Sequence, residues 1–350
     1  MSQDQVLPKA LVIHREKDLR LEEWRVATLQ PDEVLIRPAW GGICGSDMHY
    51  FLHGGVGASV LKEPMILGHE VSGVIAALGS HISGFKVGQE VGIHPALPCG
   101  HCAECNKGLS RLCRNMQFFG SAAHFPHTNG GFRTAMTVKG SQVHALPKGL
   151  SLKHACLAEP LSVALHAISR AGNLKGKRIL VQGVGPIGSL IVAGLTEHQA
   201  ASVVATDLQD FPLNIASHLG ATQTINTSKV THQDEYDIVF EVTGVASALK
   251  EAIARTQKGG ILVQVGIFPP GDVPAPIGQI IAREIDYRGT FRFDREFSEA
   301  LRVLSEKPWI AEGLITHCFP LGKFQDAFDT ALDRTTSSKV LLDLQDVVGG

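Results

Sequence analysis

Four of the seven cysteines fall in the stretch "CGHCAECNKGLSRLC", at Cys99, Cys102, Cys105 and Cys113. The spacing C-x2-C-x2-C-x7-C lets four thiolates close a tetrahedral zinc shell that leaves no position for substrate. Such a site folds a loop and performs no reaction. An iron–sulfur cluster uses similar spacing, but it would leave the remaining motifs without a purpose. Three other segments carry side chains able to bind a metal: "GGICGSDMH" with Cys44, Ser46 and His49, "LGHE" with His69 and Glu70, and "LAEPLSVALHA" with Glu159. One thiolate, one imidazole and one or two carboxylates from separate segments suit a zinc ion that keeps an open coordination position, the requirement for Lewis-acid chemistry. Taken singly, each has an ordinary reading: a small core thiol, a surface His-Glu pair, an acid in the first turn of a helix.

A third constellation is "ILVQGVGPIGSLIVAGL". It carries G-x-G-x-x-G at Gly183, Gly185 and Gly188, with Pro186 and Ile187 between the second and third glycines. The pattern follows an apolar strand and opens a helix. In that context the first glycine permits the tight turn, the second lets backbone approach a pyrophosphate, and the third allows close helix–strand packing. Asp207 ends the next apolar run, "SVVATD", about 20 residues on, where an acid can hold the adenosine ribose hydroxyls. Leu208 and Gln209 follow it, with no adjacent arginine for a 2′-phosphate, which favours NAD over NADP.

These residues need a scaffold. At 350 residues the chain exceeds what one core ordinarily serves, so two domains are expected. A formal net charge of −2 with no long run of either sign argues against nucleic acid and against a polybasic membrane surface. No apolar stretch is long enough for a membrane span, and the start "MSQDQVLPKALVIHREKD" lacks the pattern of a secretory signal. A cytoplasmic location is the expectation, where clustered thiols point to metal more than to disulfides. The first 150 residues are short apolar runs broken by Gly and Pro, read as strands and loops with little helix. After Leu157 compact runs, "RILVQGV", "SVVATD", "YDIVFEV", "ILVQVGI" and "EIDYRGTFR", alternate with the helix-like "PIGSLIVAGLTEHQA", "FPLNIASHLGA" and "VASALKEAIARTQK". That alternation predicts a doubly wound parallel sheet. The last sixty residues, with amphipathic "EFSEALRVLSEK" and "FQDAFDTALDR" and a closing strand "SKVLLDL", do not extend the series.

Together "GICGSDMH", "LGHEVSGVI", "KVGQEVGI", the cysteine lobe, "AEPLSVALHA", "GVGPIGSL" and "FEVTG" resemble the zinc-dependent medium-chain dehydrogenases through nearly the whole chain. "EP" at Glu159 and Pro160 points to the polyol branch of sorbitol and xylitol dehydrogenases. "FFGSAAHFPHTNGGF", "LVQVGIF" and "RGTFRF" resemble the bacterial L-idonate 5-dehydrogenases within it. The resemblance implies a GroES-like, β-rich catalytic domain over residues 1–155 with a structural zinc lobe near 95–115. A Rossmann NAD-binding domain over 156–293 and a return of 294–350 to the catalytic domain complete it. It implies two zinc ions per chain, NAD, a homotetramer, and a small sugar acid or polyol as substrate, oxidised reversibly at a secondary alcohol. L-Idonate to 5-keto-D-gluconate is the leading expectation, and sorbitol, xylitol or galactitol the alternative. A cofactor-binding relative that has lost catalysis would show the loss at Cys44, His69 or Glu159, and all three are present.

By the same resemblance Cys44 and His69 are catalytic zinc ligands, Glu70 matches a ligand of the polyol branch, and Glu159 binds the metal directly or through its water. Ser46 accepts the hydroxyl proton and His49 relays it through the cofactor ribose. Val242, Val265 and Phe291 present backbone to the nicotinamide amide. Arg292 matches a substrate-contacting arginine, Phe118 walls the pocket, and His124 and His127 are either pocket or loop. Cys156 and Cys318 are expected as buried structural thiols.

Overall fold

The computed structural model of the chain describes residues 7–347. The apolar runs after Leu157 form six parallel strands in the spatial order Gln223–Asn226, Ser202–Asp207, Arg178–Gln182, Tyr236–Glu241, Thr256–Gln264, Asp286–Gly289. Ile179, Leu180, Val181, Ile238, Val239 and Phe240 are buried at its centre. Strands covered on both faces have no polar side to alternate with, which is why these read as unbroken apolar runs. The order reverses between Arg178–Gln182 and Tyr236–Glu241, so a crevice opens beyond their carboxyl ends, where ligands bind in sheets of this kind. Helix Ala158–Ala171 lies against helices Pro186–Leu195 and Glu296–Glu306. The approach is close: a Cβ on Gly194 would come within 2.6 Å of Ile168 Cδ1.

The second body is β-rich. Strands Val143–Ala145, Glu90–Ile93, Glu70–Leu78, Glu33–Gly42, Lys339–Asp343 and Ile315–Pro320 lie side by side, with Met136–Lys139 along the first half of Glu33–Gly42. Pro38 lies within Glu33–Gly42, and the pairing with Glu70–Leu78 shifts register between Pro38 and Trp40. That is the place where a residue lacking N–H is tolerated in a sheet. Lys339–Asp343, from the far end of the chain, pairs with the carboxyl end of Glu33–Gly42, Leu341 opposite Gly42. The same Gly42 stands opposite Glu70 on its other side. Three distant segments therefore meet just before Ile43 and Cys44. Among the described residues no helix is long and apolar enough to cross a membrane.

Several elements differ from expectation. The helix from Pro186 ends at Leu195 and does not continue through "TEHQA", and the one from Ala246 ends at Arg255. At both ends a threonine hydroxyl bonds back to the preceding turn, Thr196 to the Ala193 carbonyl at 2.7 Å and Thr256 to that of Ala252 at 2.8 Å, a local bond that competes with continued helix. The strand expected over "EIDYRGTFR" stops at Gly289, and Arg292 takes φ 52°. The edge strand Gln223–Asn226, half polar, carries no apolar run and went unread. Cys318, expected buried, is exposed because Ile315–Pro320 is the outermost strand of its sheet. Cys156 is buried, and burial pushes its thiol pKa up.

Gly188 tests the turn directly, since a Cβ there would sit 2.0 Å from the Gly183 carbonyl oxygen. Gly188→Ala is expected to lower the urea unfolding free energy by about 1–3 kcal/mol. An unchanged midpoint would show that the turn has room to relax.

Candidate active site and metal centres

Helix Gly45–His53 begins at Cys44, which serves as its N-cap. Asp47, three residues on, accepts the Cys44 N–H at 3.0 Å and reaches across to the Gly68 N–H at 3.0 Å. One buried carboxylate thereby sets the distance between the two segments that carry Cys44 and His69. Donor atoms of Cys44, His69 and Glu70 lie within 4.8 Å of one another. His69 is buried, and its Nδ1 lacks a hydrogen-bond partner among the described residues, with Asp47 Oδ1 3.9 Å away. Burial pulls the His69 pKa down, but Cys44, Asp47 and Glu159 outweigh it and leave it well above the usual value.

Glu70 is fully buried and shares both oxygens with Lys339 Nζ, at 2.7 and 2.8 Å; the same ammonium donates to the Ile43 carbonyl at 3.2 Å. Glu159, in the first turn of helix Ala158–Ala171, stands outside the 4.8 Å group but is tied to it electrostatically. Burial raises its pKa to about 7, His69 opposes the rise, and Glu70 adds to it. The pocket thus holds four groups able to carry negative charge, Cys44, Asp47, Glu70 and Glu159, against Lys339, Arg292 and the His69 imidazole, which is positive only when protonated. Buried charge must be balanced, and a divalent cation held by sulfur, nitrogen and oxygen donors balances it. Three protein donors leave an open fourth position, the arrangement of catalytic zinc.

The cysteine lobe is built differently. Cys102 Sγ lies 3.5 Å from Cys105 Sγ and 3.9 Å from Cys113 Sγ, and all four sulfurs fall within the same 4.8 Å limit. A tetrahedron with 2.3 Å metal–sulfur arms has edges of about 3.8 Å, so the spacing fits zinc. Cys113 Sγ also accepts the N–H groups of Cys99 and Asn115, at 3.2 and 3.3 Å.

At the crevice of the parallel sheet, Gly183 takes φ 86° and Gly185 caps the helix that starts at Pro186. Asp207 accepts the N–H groups of Val184, Leu208 and Gln209 at 3.0, 2.7 and 3.2 Å, fixing its carboxylate beside the turn. Val242 and Val265 donate their N–H groups to the carbonyls of Gln182 and Glu241. Their own carbonyls, and the Phe291 N–H, have no partner among the described residues. The Arg292 guanidinium lies over the Phe118 ring at 4.4 Å and the Phe291 ring at 4.9 Å, and Phe118 is 5.5 Å from the His69 ring. Ser46 and His49 share one helix, a turn apart, with His49 exposed; burial of part of its ring and the neighbouring His53 hold its pKa below the usual value. His124 is exposed. His127 is buried and spent on the loop, accepting the Lys62 N–H at 2.8 Å while its other ring nitrogen meets the His124 carbonyl.

Residues 30–148 match the family described as "Alcohol dehydrogenase GroES-like domain" and residues 186–306 that described as "Zinc-binding dehydrogenase". L-Idonate 5-dehydrogenase (NAD(P)(+)) of Escherichia coli (strain K12) is 36% identical over 352 residues, covering 97% of this chain and 99% of its own. Sorbitol dehydrogenase of Gallus gallus is 37% identical over 344 residues, covering 95% of each. The chain belongs to the zinc-dependent medium-chain dehydrogenases. The crystal structure of L-idonate 5-dehydrogenase from E. coli K-12 superposes with a TM-score of 0.89 at 35% identity, covering 96% of this chain and 98% of that one. This medium-chain dehydrogenase is therefore an oxidoreductase of the polyol and sugar-acid group, with a GroES-like domain and a Rossmann sheet.

Sequence reasoning missed Asp47, Lys339 and Glu241. Asp47 had a signal, an acid three residues into a helix start, where it reaches back to the N-cap N–H. Glu241 is buried and accepts the N–H groups of Thr243 and Gly244 at 2.8 and 3.1 Å, shaping the crevice wall after its strand. Lys339 had none, because a lysine opening a strand ordinarily faces water. Removing it strands a buried carboxylate. Lys339→Met should cost about 3–5 kcal/mol in urea unfolding, and adding Glu70→Gln should recover much of the loss. A cost below 1 kcal/mol would mean that the pair is solvated in solution.

Proposed function

We propose that this dehydrogenase oxidises a secondary alcohol of a sugar acid with NAD, reversibly, and that L-idonate to 5-keto-D-gluconate is its reaction. The observation that carries the reading is the Arg292 guanidinium, half-buried between Phe118 and Phe291 with no hydrogen bond among the described residues. A guanidinium taken out of water without a carboxylate partner is a receptor for one, and it can hold a carboxylate in two parallel hydrogen bonds. It faces the same cleft as Cys44, His69 and Glu159, and the Glu159 carboxyl lies close enough to favour its charge. A neutral polyol would use Arg292 for hydroxyl groups, and the equal resemblance to a sorbitol dehydrogenase keeps that reading in play.

Zinc, when bound by Cys44 and His69 with Glu70 or Glu159, supplies the Lewis acidity that favours an alkoxide, and NAD accepts the hydride. The chain's own residues do the rest. In this reading Ser46 takes the hydroxyl proton and His49, whose lowered pKa favours the neutral ring, passes it outward. The free carbonyls of Val242 and Val265 and the free N–H of Phe291 match the donor and acceptor sides of a carboxamide, which supports their assignment to the nicotinamide. Asp207, with Leu208 and Gln209 after it, supports NAD over NADP. The four cysteines of the lobe hold a second, structural zinc. Seven unpaired cysteines are in keeping with a reducing cytoplasm. The homotetramer has support in exposed Ile277, Ile281 and Tyr287 beside the edge strand Asp286–Gly289, apolar surface suited to a subunit contact.

Initial rates of NAD reduction with L-idonate, D-gluconate, sorbitol, xylitol and galactitol decide the substrate. A kcat/KM preference for L-idonate is expected; preference for sorbitol would overturn the sugar-acid reading and leave the dehydrogenase standing. Metal analysis should find two zinc ions per chain, one lost with activity in Cys44→Ser. Retention of both zinc ions and full activity in that variant would remove Cys44 from the catalytic site. Asp207→Ala should raise the NADP to NAD ratio of kcat/KM by about tenfold, the worth of one good hydrogen bond to a charged group, and an unchanged ratio would reassign Asp207.

A further inference from the structure

The cysteine lobe and Arg292 belong to different bodies, yet one ion pair joins them. Arg111, two residues before Cys113, spends both its backbone N–H and its guanidinium on the Asp294 carboxylate, at 2.6 and 2.5 Å. Both side chains are largely buried, 15% and 18% exposed. Asp294 lies two residues after Arg292, whose φ of 52° is a conformation that L side chains rarely adopt. Among the described residues no hydrogen bond holds the Arg292 guanidinium; it rests on the Phe118 and Phe291 rings, and the backbone turn beneath it sets the direction in which the side chain leaves the chain.

That turn is fixed from both sides. Before it, the Thr290 N–H donates to the Gln264 carbonyl at 3.1 Å, at the end of the parallel sheet. After it, Phe293 is buried against His94 with ring centroids 4.9 Å apart. The Asp294 N–H donates to Glu296 Oε2 at 2.8 Å, and Glu296 Oε1 meets His166 Nδ1 at 2.8 Å. A strained residue persists where its surroundings over-determine it, and Arg111, bound to the Asp294 carboxylate, is the contact supplied by the lobe. Burial raises the Glu296 pKa, but the His166 contact and the Asp294 N–H bring it down to about 2, so this anchor stays ionised throughout the working range of pH.

We propose that the cysteine lobe is a positioning device for the substrate arginine: Arg111 clamps Asp294 and so holds Arg292 in the left-handed turn that aims its guanidinium into the cleft. Arg111 and Asp294 are positioning residues, and the closed metal shell reaches the reaction through them. The proposal rests on the reading of Arg292 as a substrate ligand.

The test compares Asp294→Asn, Arg111→Gln, the double variant and Arg292→Ala in the zinc-loaded enzyme, with L-idonate and sorbitol as the probes. Each single clamp variant should raise KM about tenfold, the worth of one charge-assisted hydrogen bond, with kcat within about twofold, the signature of lost binding that is uniform along the reaction. The double variant should be no worse than either single one, because the two residues act as a unit. NADH affinity, read by its fluorescence, should stay at the wild-type value, while L-idonate added to the NADH complex should perturb that fluorescence only at about tenfold higher concentration. If Arg292→Ala raises KM and neither clamp variant does, the positioning role is overturned. If Arg292→Ala leaves KM unchanged, the reading of Arg292 itself fails, whatever the clamp variants do. Arg111→Lys keeps the charge and loses the fork, so a partial rise in KM is expected of it; it also serves as the decisive variant if Asp294→Asn does not fold, and a wild-type KM in Arg111→Lys and Arg111→Gln together would then sink the proposal.

Discussion

Lys339 and Glu70, both fully buried, are the interaction on which the active-site architecture turns. An acid with no exposed surface requires a cation, and this one comes from the other end of the chain, 269 residues away. The pairing is possible because Gly42 lies between the strands that deliver the two residues, opposite Glu70 on one side and Leu341 on the other. A Cβ at Gly42 would fall 2.0 Å from Glu70 Oε2. The glycine is thus the space into which the carboxylate folds, and the sheet register, the metal pocket and the C-terminal strand are one structural unit.

The two metal centres follow from different geometry. The cysteine lobe is local: four thiols in one loop are brought together by short turns, and their spacing is visible in the linear sequence. The catalytic group is assembled from segments held in register by a sheet and by the Asp47 carboxylate that bridges Cys44 and Gly68. Local assembly gives a closed shell that any adjacent loop can house. Distributed assembly leaves one face open to the cleft, because no single segment wraps the ion.

The same distinction explains what could be read before the fold was known. Strands buried on both faces announced themselves as apolar runs, and the glycine turn lay where its strand and helix required. Asp47 carried a capping signal that the metal-centred reading passed over. Lys339 and the Arg111–Asp294 pair carried none, since their meaning depends on partners 269 and 183 residues distant. Gln223–Asn226 was silent for another reason: an edge strand with one neighbour needs little apolar surface. Cys318 was misplaced because burial was inferred from residue type, whereas its strand is the last of its sheet.

Hydride transfer needs the glycine-rich crevice and the metal pocket to face each other at fixed separation, and two of the residues that matter most lie where elements of both bodies pack together. Glu159 lies in the first turn of helix Ala158–Ala171, and Arg292 in the turn between Thr290, bonded to Gln264, and Phe293, packed on His94. The two side chains sense each other electrostatically across the cleft. The turn that carries Arg292 is held by the end of a parallel strand on one side and by packed helices and the cysteine lobe on the other. A side chain on a free loop would have to be ordered anew with each substrate, at a cost in conformational entropy. Placing the acid in a packed helix and the arginine in a turn held from both sides keeps them in place before substrate arrives, which is the pre-organisation that orientation-dependent chemistry requires.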